Sequence, residues 1–418
     1  MEHVTFTLDN GFRVICRRSA SEVVYCGIAI SAGTRHEKDT ESGIAHFTEH
    51  LSFKGTVSRT ARQIANRMES VGGDLNAYTG KEETVYYCAA LRPHLHRAIS
   101  TLTDIVFNST YPQQEMDKEV EVVIDEIESY NDQPSELIYD EFEELLFGGH
   151  PLGRNILGKK DVLRNMKTAD ISAFVDREYL PSRMVLYVYG DVTADEVKKL
   201  AEKALRDCRQ RPSLTALRLI NEGNTVEGGG LVMAQTVRRD KGTHQSHVVM
   251  GTKSFGGTDP RHLHLYLLNN ILGGPAMGSR LNLSLREKYG LVYTVESNSV
   301  CYTDTGVWSV YFGCDTEDVA RCLRLVRKEL DKLTDAPLSQ RALDAARRQL
   351  KGQIGISYDN GENVAIGMAK RFLHYHSTQS MSELFDRLDA ITPEQLLETA
   401  RLVFDPSHLV TLIYEATK

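Results

Sequence analysis

The sequence predicts an α+β protein built from two related halves, on three observations. Its 418 residues are too many for one compact core and suit roughly two domains of about 200 residues each. Strand-like alternation and helical periodicity are interspersed throughout. The segment TADISAFVDREYLPSRMVLYV from Thr168 matches TPEQLLETARLVFDPSHLVTLI from Thr392, each running helix, Pro-Ser, apolar strand, with the prolines at Pro181 and Pro406. That match marks an internal duplication. The expected division is a first domain over 1–207, a linker over 208–230 and a second domain over 231–418. The linker reading rests on a stretch that combines Pro, polar residues and a Gly triplet, after which the pattern starts again.

The opening reads as a hairpin, VTFTL and FRVICRR around the turn Asp9-Asn10-Gly11, followed by the apolar run VVYCGIAI. Helical patterns cover about 41–54, 60–70, 93–108 and 113–147, with two strand-like stretches, DLNAYT and ETVYYCAAL, between the second and third. After Pro181 comes the strand MVLYVYG, and a short helix at about 193–206 closes the first half.

Composition narrows the function. Hydrophobic residues at 41% and charged residues at 25% are ordinary for a soluble globular protein. No run approaches the roughly 20 apolar residues that cross a bilayer. The first residues lack the basic, apolar and small-residue sections of a signal peptide. No membrane partner and a cytoplasmic location are therefore expected. The formal charge of −8 argues against a nucleic-acid partner, since phosphate binding favours a basic face. The 7 cysteines are widely spaced without a C-x-x-C pair and read as reduced structural thiols.

One segment carries chemistry. GIAHFTEHLSFKGT places His46, Glu49 and His50 on a helix that ends near Lys54 and Gly55. At about 100° per residue, His46 and His50 lie one turn apart on one face with Glu49 beside them. Two neutral imidazoles can reach one metal, and Glu49 can act as general base without being a ligand. The order is the inverted H-x-x-E-H pattern. A catalytic zinc needs a third protein ligand. The acidic helix KEVEVVIDEIESYND offers Glu119 and Glu126, seven residues apart on one face, with Val122 and Val123 in its expected apolar stripe. Spacing does not choose between the two acids. Glu121 and Glu128 are expected to be solvated.

These residues resemble the pitrilysin family, which includes insulin-degrading enzyme and mitochondrial processing peptidase. Its H-x-x-E-H, followed some 75 residues later by an E-x-x-x-x-x-x-E pair, is matched by His46, Glu49, His50, Glu119 and Glu126. The resemblance implies one zinc per chain held by His46, His50 and Glu126, with Glu119 a supporting acid. GGDLNAYTGKEETVYY resembles the family's substrate-side strand, which puts Asn76 and Ala77 where a peptide backbone would pair. HPLGRNILG is a family-like loop of structural role. LREKYGLVY matches an Arg and a Tyr seven residues apart, Arg286 and Tyr293, implied to bind substrate and stabilise the oxyanion. GGPAMGS, Gly273 to Ser279, resembles a glycine-rich loop of the partner subunit in processing peptidases and equally suits a plain turn.

The fold implied is two homologous domains, each an antiparallel-rich sheet covered by helices. The function implied is a zinc metalloendopeptidase acting on peptides or unfolded segments, or alternatively a non-catalytic partner subunit of a processing-peptidase-like complex. One-chain relatives close a chamber from four such domains, with zinc on the first and the Arg-Tyr pair on the fourth. A two-domain chain is thus expected to form a homodimer, or a heterodimer with a related subunit. The second half has no H-x-x-E-H of its own.

Overall fold

The computed structural model describes residues 3–206, 208 and 232–416. The chain runs β1 (His3–Thr7), β2 (Arg13–Arg18), β3 (Val23–Ile30), α1 (Ile44–Ser52), α2 (Ala61–Glu69), β4 (Asp74–Thr79), β5 (Thr84–Leu91), α3 (Leu95–Phe107), α4 (Gln113–Asn131), α5 (Pro134–Phe147), α6 (Lys160–Asn165), α7 (Thr168–Glu178), β6 (Met184–Gly190) and α8 (Ala194–Arg206). It resumes with β7 (Gln235–Thr243), β8 (Ser246–Phe255), α9 (Arg261–Gly273), a π-helical segment (Asn282–Lys288), β9 (Val292–Cys301), β10 (Thr305–Cys314), α10 (Val319–Thr334), α11 (Gln340–Ser357), α12 (Gly361–Tyr375), α13 (Met381–Asp389), α14 (Pro393–Val403) and β11 (Val410–Ala416). Except for Cys208, the expected linker lies outside the described residues.

Two compact units result, and they interleave along the chain. The first comprises Met1–Glu128, Arg154–Thr225 and Ile356–Ser380; the second comprises Ser129–Gly153, Val226–Gly355 and Met381–Lys418. The first sheet has the order β1-β2-β6-β3-β5-β4 and the second β7-β11-β8-β10-β9. In each, the strand after the Pro-Ser turn pairs parallel with the unit's early strand, β6 with β2 and β11 with β7, and every other pairing is antiparallel. Apart from the extra edge strand β1, the two sheets have one topology, as the internal match predicts.

Both faces of each sheet are covered, so the inner strands are near-continuous apolar runs. In the first unit, side chains alternate between two cores with the period of a strand. Val24, Cys26, Ile28 and Ile30 of β3 join the core shared with residues of α1, α2, α3 and α7. Ala29 faces the other way, with Ile15, Val85, Val185 and Tyr187, and meets Ala365, Met368, Ala369 and Leu373 of α12. In the second unit one face is covered by α5, whose Leu137, Ile138, Phe142 and Leu146 pack with Val249, Tyr311, Val410 and Leu412, while α9 and α14 also pack on the sheet. Each sheet is thus capped on one face by a helix from the other half of the chain.

Two expectations need correcting. The helical pattern over 113–147 is two helices, because Pro134 has no N–H to donate and forces Gln133 out of helical geometry, to φ −113° and ψ 84°. Val122 does not belong to the apolar stripe of α4. It is 51% exposed, while Met116, Val123, Ile124 and Ile127 are buried. Glu121 and Glu128 do lie at the surface, where they pair with Arg164 at 3.7 Å and Lys160 at 2.6 Å. No described helix is long and apolar enough to cross a membrane.

The turn between β4 and β5 is anchored by charge. Glu82 pairs with Arg35 at 2.6 Å, Lys81 Nζ donates to the Arg154 carbonyl at 2.5 Å, and Glu83 meets Lys370 at 2.5 Å and His374 at 3.1 Å on α12. Burial opposes ionisation of Glu83, but His374 and Lys370 outweigh it and hold the carboxyl down at about 2. An unfolded Glu titrates near ~4.3, so this stabilisation is complete above that pH and is lost as pH falls toward about 2. Glu83→Gln is expected to cost about 2–3 kcal/mol at pH 7. In thermal melts the gap between variant and wild type should narrow steadily from pH 5 to pH 3, and a gap independent of pH would count against the pairing.

Candidate active site

The start of α1 is built by a glycine pair and a borrowed cap. Gly43 stands at the N-cap with φ 89° and offers no side chain. Glu37 supplies the missing acceptors, its carboxylate oxygens taking the N–H groups of Gly43 at 3.1 Å and Ala45 at 3.0 Å. Gly158, at φ 80°, packs on Gly43 so closely that a Cβ on it would lie 2.4 Å from the Gly43 Cα. Arg154 of the same HPLGRNILG loop donates to the Glu37 carbonyl and pairs with Asp39 at 2.5 Å. The loop therefore sets where α1 begins.

From that start, one turn of α1 presents His46 and His50 side by side, ring centroids 4.6 Å apart. Helix α4 brings Glu126 in front of them, its Oε2 3.8 Å from His46 Nε2 and 3.6 Å from His50 Nε2. One candidate ligand atom from each of the three residues falls within 4.8 Å of the others, and no other such group occurs among the described residues. Glu119, two turns earlier, sits behind His50: its Oε1 lies 3.0 Å from His50 Nδ1 and its Oε2 2.6 Å from Lys54 Nζ. Geometry thus gives the two acids different places, which spacing could not.

The protonation pattern suits a metal. Burial, then the neighbouring His50, press His46 down to about 3, so its ring is neutral. Burial would lower His50 as well, but the bond from Glu119 and the charges of Glu49, Glu126 and Glu119 raise it overall. An N–H at His50 Nδ1 donating to Glu119 leaves the lone pair at Nε2, the arrangement by which an outer carboxylate fixes a ligand's tautomer. Two imidazole nitrogens and one carboxylate oxygen are the protein donor set of a catalytic zinc. Around such an ion, ligand atoms would stand ~3.3 Å apart, close to the separations here, so the residues fit the group.

Glu49 lies beside this cluster. Its carboxyl is raised by burial, against the hydrogen bond from Thr79, whose Oγ1 donates to Glu49 Oε2 at 2.9 Å. Thr79 ends β4, the open edge strand of the first sheet. Asn76 and Ala77 lie on that strand, and the Asn76 side-chain oxygen accepts the Ala77 N–H at 2.8 Å. Neither Thr79 nor Lys54 was expected at the site from sequence. The signal for Thr79 was its place in the strand segment NAYT, three residues after Asn76.

Arg286 and Tyr293 belong to the second unit, whereas the histidines and both glutamates belong to the first. Arg286 lies in the last turn of the π-helical segment with its guanidinium carbon 5.8 Å from the Tyr293 ring centroid, and Tyr293 is 83% exposed. Gly273 to Ser279 link α9 to that segment. The other histidines take local roles: His247 Nδ1 lies 2.8 Å from the Tyr311 hydroxyl, and His264 Nδ1 lies 3.2 Å from Thr399 Oγ1. In α9, which follows β8 as α1 follows β3, the buried polar side chains include Asn269, bonded to Ser297 at 2.8 Å.

Two units of one topology, with a His-His-carboxylate cluster on only one of them among the described residues, define a duplicated metallopeptidase-type fold. The family description "Insulinase (Peptidase family M16)" matches residues 13–160, and "Peptidase M16 inactive domain" matches 165–350. An uncharacterized zinc protease of Bacillus subtilis is 30% identical over 98% of this chain and 97% of its own. The beta subunit of the mitochondrial-processing peptidase of Rattus norvegicus is 30% identical over 94% of this chain and 80% of its own. The chain belongs to peptidase family M16. Among solved structures, a protease from Helicobacter pylori superposes with a TM-score of 0.90 at 22% identity, covering 99% of each chain. A peptidase M16 inactive domain from Pseudomonas fluorescens gives 0.88 at 18% identity, covering 100% of this chain and 99% of its own.

Proposed function

We propose that this chain is a zinc metalloendopeptidase that hydrolyses peptides or unfolded polypeptide segments, with the zinc-binding half over 1–207 and a related half over 231–418. The observation that carries the reading is the convergence of His46 Nε2, His50 Nε2 and Glu126 Oε2 in front of the Glu49 carboxyl. Zinc, when bound, supplies a Lewis acid that acidifies water and polarises a carbonyl. His46, His50 and Glu126 would hold it, and Glu119 and Lys54 would orient His50. Thr79 engages Glu49 Oε2, which leaves Oε1 to take the proton of the attacking water and return it to the leaving amine. The open edge at Asn76 and Ala77 would pair with the peptide backbone, holding the scissile bond in reach. Arg286 and Tyr293 would donate to the carbonyl oxygen as it gains charge, from the partner in a homodimer. The non-catalytic alternative is disfavoured because every member of the metal motif is present.

Elemental analysis with a peptide-library digest tests this. Wild type is expected to carry one zinc per chain and to cleave. Glu126→Gln should hold zinc more weakly, since an amide is a poorer ligand than a carboxylate. Full zinc occupancy after removal of both His46 and His50 would sink the assignment.

A further inference from the structure

Hairpin turns ordinarily lie in water, but the turn between β4 and β5 does not. Its Lys81, Glu82 and Glu83 are only 7%, 7% and 6% exposed. Burying charges is costly unless each is paired, and each of the three is paired, with the Arg154 carbonyl, Arg35, and Lys370 with His374 respectively. The backbone is held as well. The N–H groups of Thr34 and Arg35 donate to the carbonyls of Gly80 at 3.3 Å and Lys81 at 2.8 Å, and Thr84 Oγ1 donates to the Ala32 carbonyl at 2.8 Å. A hairpin needs none of these ties to keep its register, which the turn geometry and the apolar pattern already set.

What the anchoring places is Thr79. It pairs with Thr84 at the mouth of the turn, and its hydroxyl donates to Glu49 Oε2 at 2.9 Å. The acceptor is tied to the same frame. Arg154, whose carbonyl accepts from Lys81 Nζ at 2.5 Å, itself donates to the Glu37 carbonyl, and the Glu37 carboxylate caps the start of α1, the helix that carries Glu49. Residues 34–37 and Arg154 therefore fix donor strand and acceptor helix relative to each other. A glutamate has no sharp preference of its own about its last torsion, which is broad and two-fold. One fixed donor selects one orientation.

We infer, resting on the peptidase reading, that Thr79 is a positioning residue: it holds the Glu49 carboxylate in the orientation that turns Oε1 to the attacking water, and the anchored turn holds Thr79. Thr79 also ends the strand whose edge at Asn76 and Ala77 would pair with the peptide. Substrate and base are thus set from one rigid strand. The gain from a fixed base falls on the chemical step and not on peptide affinity.

Thr79→Val tests this, because it keeps the branched shape that suits a strand and removes the donor. The full-length variant should carry one zinc per chain, keep KM within about twofold and lose about tenfold or more in kcat, the scale on which misplacing a reacting group acts. Thr79→Ser restores the hydroxyl and should recover most of kcat. Added to Glu49→Gln, Thr79→Val should lower the residual turnover no further, since its effect passes through the carboxylate. A general loosening of the strand would lower it again. Crystal structures of the metal-free proteins supply a readout apart from activity: the Glu49 carboxylate should take one orientation in wild type and Thr79→Ser, and turn or split in Thr79→Val. Wild-type kcat in Thr79→Val, a loss that Thr79→Ser does not recover, or an unchanged Glu49 in the Thr79→Val structure would overturn the inference and leave the peptidase reading standing. A wild-type protein that cleaves no peptide would overturn that reading, and the inference with it.

Discussion

Glu49→Gln is expected to keep one zinc per chain and to lose about 10²- to 10⁴-fold in peptide turnover, the span of a general-base contribution. The two effects separate because Glu49 stands beside the candidate ligand atoms and is not one of them. Glutamine has nearly the same shape, and its amide oxygen can still accept the Thr79 hydroxyl that Glu49 Oε2 accepts at 2.9 Å. Packing is therefore preserved, and what disappears is a site for the water's proton. Burial raises the Glu49 carboxyl, which brings it nearer the range where a base both takes and returns a proton efficiently. Turnover of a fluorogenic peptide, measured beside zinc content, checks this, and the variant should also retain uncut peptide. A zinc-loaded Glu49→Gln protein with wild-type turnover would refute the assignment.

Mixing two inactive proteins, Glu49→Gln and Tyr293→Phe, under conditions that exchange subunits should restore activity. The reasoning is architectural. The histidines, Glu49, Glu119 and Glu126 all lie in one unit and the Arg286-Tyr293 pair in the other, and the sequence resemblance implies that in one-chain relatives the matching pair belongs to the fourth domain. If the pair acts on the other chain of a homodimer, each mixed dimer holds one site with both defects and one with none. With half of the dimers mixed at random, recovery should approach a quarter of wild-type activity. If the pair acts on its own chain, every site keeps one defect. No recovery despite demonstrated exchange would exclude action across the dimer and leave the metal assignment untouched.

Local pattern carried the elements well, because both sheets are covered on two faces and their inner strands are unbroken apolar runs such as VVYCGIAI. It failed at Pro134, where apolar periodicity continues through a break that only the missing N–H reveals. The H-x-x-E-H turn was legible since one helix fixes the relation of His46, Glu49 and His50. The places of Glu119 and Glu126 were not, because they depend on how far α4 slides along α1, which is a tertiary quantity. Thr79 looked like any β-branched strand residue and Lys54 like a helix-end cation. Each gains its meaning from a partner 30 or 65 residues distant, Glu49 or Glu119 respectively. Which sheet a helix covers was likewise hidden, since α5 and α12 present the same kind of apolar stripe to either.

The positions of α5 and α12 make the two halves depend on each other. Each half of the chain makes a sheet and a helix, and in both cases the helix serves the other half's sheet. A half-length chain alone would leave a broad apolar sheet face in water, beyond what soluble monomers tolerate. Its remedy would be to trade that helix with a second copy of itself, the low-cost exchange by which identical chains become intertwined pairs. In the present chain that exchange takes place within one covalent chain, so neither half can close its own sheet without the other's helix, whatever chemistry each sheet carries.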